Sequence, residues 1–393
     1  MNTATGYKQT EIGIIPEDWV IKSLNDISEK ISVGIASSAT HAYRERGIVL
    51  FRNQNIKPNY LDDSDILYID PRYEVRFINK RLKAGDLLTA RTGYPGTTCI
   101  VPELYENSQS FTTLITRLKK KSVDTIYISH YINSAKGQEF FEQNQIGGGQ
   151  KNVNAGSLKS MPIILPPLPE QTAIANALSD MDALIAQTEK LIEKKKAIKQ
   201  GVMQELLKPK EGWVTKKLGE VCEIIMGQSP LSEYYNFAGI GLPLIQGNAD
   251  IKNRKTIIRT YSSNITKKGK LGDIIMTVRA PVGEIALSTF ECCLGRGVCA
   301  LRYENDFMYH YMISIENYWS RLSSGSTFDS VNSNQIRDLS VTLPQTKNEQ
   351  IEIAKTLTDL DKDIELTETK LQKLKHQKQG MMQALLTGKI RLI

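Results

Sequence analysis

The stretch KKKAIKQGVMQELL, residues 194–207, recurs as KLKHQKQGMMQALL at residues 373–386, and nine of the fourteen positions are identical. Each copy carries one glycine, Gly201 or Gly380, inside a sequence that otherwise favours a helix. A glycine in a helix interior costs about 1 kcal/mol relative to alanine. A basic helix that occurs twice, and keeps this residue both times, indicates a duplicated role.

The duplication extends over both halves of the chain in the same order. The further matching pairs are EDWVIKSLNDI (17–27) with EGWVTKKLGEV (211–221), VNAGSLKSMPIILP (153–166) with VNSNQIRDLSVTLP (331–344), and EQTAIANALSDMDALI (170–185) with EQIEIAKTLTDLDKDI (349–364). An ordered set of matches in a chain of 393 residues predicts a tandem duplication, with one similar structural unit in each half.

Each half combines a mixed region with a long helix. Short β-rich runs such as GIVLFR and GDIIMTV lie among Gly, Asn and Asp turn residues, and a short helix is expected near 127–142 and 307–322. The sequence therefore predicts an α+β fold, with two similar mixed α/β domains separated by two long antiparallel coiled-coil helices. The predicted regions are domain 1 (1–165), the central spacer helix (166–210), domain 2 (211–343), and the C-terminal spacer helix and tail (344–393).

The antiparallel arrangement follows from the connectivity. Apolar residues in both helices recur at alternating spacings of three and four, which is typical of a coiled-coil seam. The first helix leads from domain 1 to domain 2 and the second leaves domain 2, so the two seams can pack together only in opposite directions. Each helix of about 37 residues would be about 55 Å long. The domains would be related by a pseudo-two-fold axis, and the tail 387–393 would return to domain 1, which makes the fold nearly circular. The alternative is two helical hairpins that do not pack on each other.

Equivalent positions of the two helices are assigned to helix pairing or partner docking. They are Gln171, Leu178, Ile185 and Gly201 in the first helix and Gln350, Leu357, Ile364 and Gly380 in the second. Antiparallel packing is expected to place Gly201 near Ala354, and Gly380 near Ala175 and Ala177. Two hypotheses then explain the glycines: close approach of the two helix backbones, or admission of a partner chain.

The sequence contains no signature of a catalytic or metal centre. No GxxxxGK[ST] loop, HExxH or CxxC motif is present, and His130 and His310, which each precede a tyrosine, favour a structural role in matching folds. An odd count of five cysteines and the lack of an apolar run near the ~20 residues of a membrane helix favour a cytoplasmic protein without a membrane partner. We expect no catalytic residue, no metal and no cofactor in this chain.

A net charge of +7 and two diverged domains favour a polyanionic ligand with two different addresses, and double-stranded DNA fits both. Arg and Lys can bind guanine edges, and Asn and Gln adenine edges. The candidate DNA-binding residues are Arg52, Arg91, Gln150, Lys151, Asn152, Arg254, Lys268, Arg279, Ser326 and Thr327, and further candidates on the loops include Gln246, Asn248 and Arg296. Arg91 and Arg279 stand out because each follows an apolar strand that begins with Gly-Asp and precedes a glycine turn. The predicted target is a bipartite, asymmetric site with an unread gap.

Three segments carry a resemblance to a known family. EIGIIPEDWVIKSL (11–24), LPPLPEQTAIANALSDMDALI (165–185) and LLTGKIRL (385–392) closely resemble the specificity subunit of type I restriction–modification systems. The resemblance implies two target-recognition domains that each read one part of a split DNA site. It also implies that the helices space the half-sites and dock two modification (methyltransferase) subunits, which restriction/translocase subunits join. S-adenosylmethionine for methylation, and ATP with Mg for restriction, would be bound by those partners.

Two departures from the family pattern concern docking. PQTKNEQ (344–350) replaces a second PPLPEQ, and Lys195 and Lys199 interrupt the first seam, so docking at the two ends is expected to be unequal. Three alternatives stay open at this point. They are a catalytic endonuclease or methyltransferase with fused recognition domains, a coiled-coil scaffold that binds only proteins, and a specificity subunit of another methylation-based phage-defence system.

Overall fold

The computed structural model describes residues 6–144, 152–319 and 330–392. The chain forms two compact units, which are described separately: unit 1 contains residues 1–189 and 370–393, and unit 2 contains residues 190–369. Two long helices, Leu168–Leu206 and Lys347–Leu385, contribute segments to both units. The fold is of the predicted α+β type, with one mixed α/β domain in each unit.

Unit 1 is built from small, mostly antiparallel sheets. Its strands are β1 (Tyr7–Thr10), β2 (Gly13–Pro16), β3 (Val20–Ser23), β4 (Ser28–Val33), β5 (Tyr43–Arg44), β6 (Ile48–Phe51), β7 (Ile56–Lys57), β8 (Tyr60–Leu61), β9 (Leu67–Ile69), β10 (Leu87–Thr89), β11 (Thr98–Ile100), β12 (Gln109–Ser110), β13 (Leu114–Leu118) and β14 (Pro162–Leu165). Its shorter helices are α1 (Pro71–Glu74), α2 (Thr125–Asn133), α3 (Ala135–Gln143) and α4 (Ala155–Ser160). The two larger sheets have the strand orders β11-β10-β13-β4 and β12-β6-β9-β5, and β14 pairs with β3.

Unit 2 repeats this plan. Its strands are β15 (Trp213–Lys217), β16 (Glu223–Met226), β17 (Tyr235–Asn236), β18 (Leu242–Ile245), β19 (Ile251–Lys252), β20 (Lys255–Thr256), β21 (Tyr261–Ser262), β22 (Lys268–Gly269), β23 (Ile274–Thr277), β24 (Ile285–Leu287), β25 (Cys292–Leu294), β26 (Val298–Arg302) and β27 (Ser340–Pro344). Its shorter helices are α5 (Leu218–Val221), α6 (Phe307–Ser314) and α7 (Ser333–Arg337). The larger sheets have the orders β16-β26-β23-β24-β20-β19 and β17-β21-β18-β25-β22, and β15 pairs with β27.

The sequence explains where several helices begin and end. Asp124 caps α2, since its side chain accepts hydrogen bonds from the amides of Ile126 and Tyr127. The single helix predicted near 127–142 is instead two helices, because Ser134 ends the first and caps the second by accepting from the Gly137 amide. The long helices begin close to the predicted starts, at Leu168 and Lys347.

Within each unit the segments of the long helices run antiparallel, as predicted. In unit 1, Asp182 forms an ion pair with Lys378, and Glu189 with Lys375. Residues further along the first helix therefore pair with residues earlier in the second, as in an antiparallel arrangement. In unit 2, Lys195 pairs with Asp363, and Lys199 with Asp361, in the same sense. The lysines that interrupt the first seam are thus neutralised by aspartates of the facing helix.

A buried histidine joins each mixed domain to its helix segments. In unit 1, His130 Nδ1 accepts from the side-chain Nδ2 of Asn59 at 3.1 Å, and His130 Nε2 lies 3.8 Å from Asp182 Oδ2. Asp182 in turn pairs with Lys378. In unit 2, the equivalent His310 Nδ1 lies 4.0 Å from Asp361, which pairs with Lys199. Both histidines are about 1 % exposed, which agrees with the structural role predicted for them.

The two buried histidines are expected to make the free energy of unfolding depend on pH. Burial lowers the pKa of His130 and His310 to about 4 from 6.5, so both are neutral in the folded chain at pH 5, whereas the unfolded chain protonates them. Stability therefore falls as the pH drops from about 6.5 towards 4, by about 2 kcal/mol per histidine at pH 5. We expect His130→Gln with His310→Gln to flatten the loss of denaturant midpoint between pH 7 and pH 5.

The matched control replaces the two exposed histidines, His41 and His376, with glutamine. This control removes the same number of histidines from exposed positions, and it should keep the wild-type pH profile if burial of His130 and His310 is the cause. An unchanged slope in the His130/His310 variant would contradict the prediction.

Residues 385–392 lie against domain 1 within unit 1, as predicted for the tail. Leu385 and Leu386 enter the core that contains Trp19. The Arg391 guanidinium contacts Glu170 and Asp18 at 2.6 and 2.8 Å. The segment forms turns and does not add a strand to the domain.

Candidate nucleic-acid interface

In both units, four backbone segments meet beyond the ends of the central strands. In unit 1, the amide of Phe111 donates to Phe51 O and that of Ile35 to Ser110 O, both at 2.7 Å. These bonds bring the residues after β4, β6 and β12 together, and Arg91 follows β10 at the same end of the sheet. Unit 2 shows the equivalent bonds, from Gly295 to Ile245 O and from Gln228 to Leu294 O. The matching bonds define equivalent positions in the two domains.

The first strand-end cluster consists of Asn53, Arg91, Thr112 and Asn152. The Asn53 side chain accepts from the Arg91 amide at 2.7 Å and donates to Thr112 Oγ1 at 3.3 Å. Arg91 Nε donates to Asn152 Oδ1 at 3.0 Å. All four residues are half-buried. The cluster presents donors and acceptors on a surface that its own hydrogen bonds hold in place.

The second strand-end cluster consists of Gln246, Arg279, Arg296 and Ser330. All four residues are exposed. Arg279 forms a backbone bridge with Ser330, and the Arg296 amide donates to Ser229 Oγ at 3.0 Å. The two clusters therefore occupy equivalent places, but their side chains differ. Such an edge can bind acceptor atoms and negative charge through arginine.

Three of the predicted DNA-binding residues are engaged elsewhere. Arg52 forms an ion pair with Asp65 at 2.8 Å. Arg254 Nη2 donates to Glu316 at 2.8 Å, and its backbone has a φ of 61° in a tight turn. Lys268 pairs with Glu291 at 2.9 Å.

Arg254 is the most fully engaged of the three, because two carboxylate oxygens and the Ile285 carbonyl accept from its guanidinium. We assign it a structural role. Arg52 also donates to the Asp65 backbone carbonyl, so we assign it the role of holding the loop that contains Asp65. The predicted residues Gln150, Lys151, Ser326 and Thr327 lie outside the described residues. Arg91, Asn152 and Arg279 remain as candidates at the strand ends.

The predicted helix residues fall into two groups. Gln171 is buried, accepts from the Asp124 amide and donates to Pro166 O, while Gln350 accepts from Tyr303 and Asn305 and donates to Pro344 O. These two glutamines connect each domain to its own long helix. The hydrophobic positions are buried or half-buried in the seams, and they are Leu178, Ile185, Leu357 and Ile364.

The expected small-on-small contacts of the glycines are wrong. A Cβ built on Gly201 or Gly380 would meet no atom within 4 Å, and both residues are exposed. The ion pair of Lys199 with Asp361 shows that the facing position is about one turn away from Ala354. Ala354 is instead buried in the core of its domain. The hypothesis that the glycines admit a partner chain is the one that stays open.

The sequence pattern did not single out Thr112, and it did not place Arg296 at the same strand end as Arg279. The reason is that the repeat has no constant offset: Arg91 and Arg279 are 188 residues apart, whereas Thr112 and Arg296 are 184 apart. Their equivalence emerges only from the strand register. A signal was present, since both residues lie just before the strand that begins LITRL or VCALR.

No helix in the described ranges is long and apolar enough to cross a membrane. In the same ranges, His, Cys, Asp and Glu side chains do not gather in a group of three or more that could hold a metal ion. Among the buried titratable groups, His130 and His310 face the long helices, whereas Asp250 accepts from the Gln246 amide at 2.7 Å in the second strand-end cluster.

The chain thus contains a duplicated α/β domain, with a different polar edge in each copy, and two long helices whose segments run antiparallel in each unit. Residues 16–199 and 210–376 match the family model described as type I restriction modification DNA specificity domain. The chain therefore belongs to the type I restriction–modification specificity subunits. This assignment does not favour a fused catalytic enzyme or a protein-only scaffold.

Similar proteins cover nearly the whole chain. A putative type I restriction enzyme MjaX specificity subunit of Methanocaldococcus jannaschii is 30% identical over 98% of this chain and 97% of its own length. The MjaVIII specificity subunit of the same organism is 23% identical over 96% of this chain and 94% of its own.

Solved structures show the same fold. The type I restriction–modification S subunit from M. genitalium aligns with a TM-score of 0.62 and 15% identity, covering 93% of this chain and 96% of that one. A chain from a study of complex assembly and conformational transition of the type I R-M system aligns with a TM-score of 0.61 and 21% identity, covering 96% and 99%.

Proposed function

We propose that each domain reads one half of a bipartite, asymmetric DNA site through its strand-end cluster, and that the long helices dock two methyltransferase subunits. The observation that carries this proposal is the pair of equivalent strand-end clusters with different side chains. Arg91 and Arg279 occupy matching positions, while their neighbours differ, so the two domains would contact the same kind of ligand but prefer different bases.

The proposal divides the chemistry between this chain and its partners. The partners would bind S-adenosylmethionine and methylate adenine, and restriction subunits that use ATP and Mg would join them. This chain would supply sequence recognition and spacing, with domain 1 at 1–165 and domain 2 at 211–343. The purified chain alone is then expected neither to methylate nor to cleave DNA.

The test is performed on the complex of this chain with its modification subunits. Methylated adenines are mapped in DNA exposed to the complex, and binding to the recovered site is measured at several salt concentrations. We expect one split, asymmetric motif and an affinity that falls steeply with salt, because neutralised phosphates release counterions. Methylation without a split motif would contradict the proposal.

The outer face of the first long helix supports docking. Within unit 2, Leu191 and Ile198 are seven residues apart on this helix and remain 44 and 47 % exposed. Residues at this interval lie on one side of a helix. A second helix packed on this side would cover them.

Gly201→Leu together with Gly380→Leu is expected to separate folding from docking. Both positions face open space, so the larger side chain should be accommodated and should raise helix stability by up to about 1 kcal/mol per site. The same side chains would obstruct a partner chain that packs against the glycines. We expect weaker assembly with the modification subunits, measured by analytical ultracentrifugation.

The matched control is Gly201→Ala with Gly380→Ala, which gives a similar gain in helix propensity with one added carbon. It should assemble more strongly than the leucine variant. Equal assembly of the leucine variant and the wild type would rule out docking at the glycines.

A further inference from the structure

Two arginines of unit 2 lie at the same end of one strand pair. Strands β23 and β26 are antiparallel, and their register ends with Thr277 opposite Val298. The pairing continues for one more residue, since the Val278 amide donates to Gly297 O at 2.9 Å. Beyond this bond, Arg279 follows β23, and Arg296 lies in the turn before β26, where the Val298 amide donates to Gly295 O at 3.2 Å. Arg279 and Arg296 are therefore each one residue away from the bonded residues Val278 and Gly297.

Neither of these arginines is neutralised within the part of the chain that the structure describes, where no ion pair or side-chain hydrogen bond of Arg279 or Arg296 is found. Other arginines of unit 2 are paired: Arg254 with Glu316, and Arg302 with Asp273. Like charges held near each other repel. The arrangement therefore suits a ligand that supplies electronegative atoms to both guanidinium groups.

The backbone at Arg296 is held firmly. Its amide donates to Ser229 Oγ, and the neighbouring Gly295 amide donates to Ile245 O at 2.8 Å. The following residue must be glycine, because a Cβ on Gly297 would lie 2.0 Å from Gln246 O. Arg296 is thus presented from a fixed turn, as recognition of a defined base edge requires.

The equivalent pair in unit 1 has a different chemistry. Strands β10 and β13 end with Thr89 opposite Leu114, so Arg91, which follows β10, and Thr112, which precedes β13, lie at the same end of this strand pair. Arg91 is hydrogen-bonded to Asn152, and Thr112 to Asn53. One positive charge stands here where unit 2 has two. The residue two positions before β13 or β26, at the same end as the shared arginine, is therefore a point at which the two domains differ.

We infer that Arg296 is a specificity-determining residue, which reads a guanine in the second half-site beside Arg279. The inference rests on the proposed function of this chain. Guanine presents two acceptors, O6 and N7, in the major groove, and arginine can donate to both at once. Thr112, which has one hydroxyl group, would select differently at the equivalent place in the first half-site.

The experiment uses the complex with modification subunits and a set of DNA duplexes in which each base pair of both half-sites is replaced in turn. Three variants are compared with the wild type: Arg296→Thr, which copies Thr112, Arg296→Lys, and Lys252→Ala as an exposed-charge control on the same unit. We expect Arg296→Thr to reduce discrimination about 10- to 100-fold at one G·C pair of the second half-site. Discrimination in the first half-site should be unchanged, and Arg296→Lys should retain part of the preference.

Each other outcome has a defined meaning. A uniform loss of affinity for all duplexes, with a salt slope reduced by about one, would make Arg296 a phosphate contact and overturn the inference. Unchanged discrimination would also overturn it. A wild-type complex that prefers no duplex would instead contradict the proposed function itself.

Discussion

Replacing residues 17–165 with the chain's own residues 211–343 is expected to yield a complex that recognises two copies of the second half-site. The exchange is structurally favourable because, in each domain, a strand near the start of the exchanged segment pairs with the strand at its end. Val20 lies opposite Leu165, and Trp213 lies opposite Pro344. The graft therefore enters and leaves at neighbouring points.

The contacts that join a domain to its helix are also duplicated. Trp19 donates to Glu170 at 3.0 Å, and Trp213 donates to Glu349 at 3.1 Å. The histidine of each domain faces an aspartate of the helix, Asp182 or Asp361. A second copy of domain 2 would thus meet the same partners on the first long helix. A foreign domain need not carry this tryptophan and histidine, which is why the internal donor is the sharper choice.

Mapping of methylated adenines gives the readout. We expect loss of the first half-site, unchanged preference in the second, and a new site that carries the second half-site twice. The control grafts domain 1 back into its own place through the same junctions, and it should restore the natural motif. A changed preference in the untouched half-site would show that the domains do not read DNA independently.

Sequence reasoning predicted the parts of this fold that depend on local pattern. The repeat gave two similar domains, the three–four spacing gave both long helices, and connectivity gave their antiparallel direction. Leu357 and Ile364, for example, were expected at helix-pairing positions and are buried. These features depend on the period of apolar residues, which a sequence displays directly.

What could not be predicted depends on register. One turn of offset between the helices moved the position facing Gly201 away from Ala354, and helical periodicity alone cannot fix that offset. Similarly, Arg254 looked like a free basic loop residue, because its partner Glu316 is 62 residues away. At the interface, Arg91 and Arg279 were singled out from local pattern, but the neighbours that distinguish them come from other strands.

Arg391→Ala is expected to destabilise unit 1 by about 3 kcal/mol, because it leaves a buried carboxylate without its cation. The Glu170 side chain is 2 % exposed, and its oxygens accept from Arg391 at 2.6 and 2.7 Å. After the substitution, Glu170 would keep only the Trp19 indole N–H of these donors. The guanidinium carbon also lies 5.5 Å from the centre of the Trp19 ring, so a cation–π contact is lost as well.

The origin of this loss can be tested by removing the charge that the substitution leaves unpaired. Glu170→Gln combined with Arg391→Ala should recover part of the stability, since a neutral amide is less costly to bury than a carboxylate. Asp18→Asn should cost less than about 1 kcal/mol, because Asp18 is half exposed and its pair with Arg391 is largely solvated.

Unit 2 provides the matched control. Lys217 and Asp338 form an exposed pair, with side chains 58 and 62 % accessible, so Lys217→Ala should change stability by no more than about 0.5 kcal/mol. Hydrogen exchange assigns each effect to its unit: Arg391→Ala should lower the protection of amides in β3 and β14 and leave β15 and β27 unchanged. Equal changes in stability for Arg391→Ala and Lys217→Ala would show that residues 385–392 contact domain 1 without stabilising it. Selective loss of protection in β3 and β14 would show that Arg391 fixes this segment to the start of the first long helix. Glu170 at that position also accepts a hydrogen bond from Trp19.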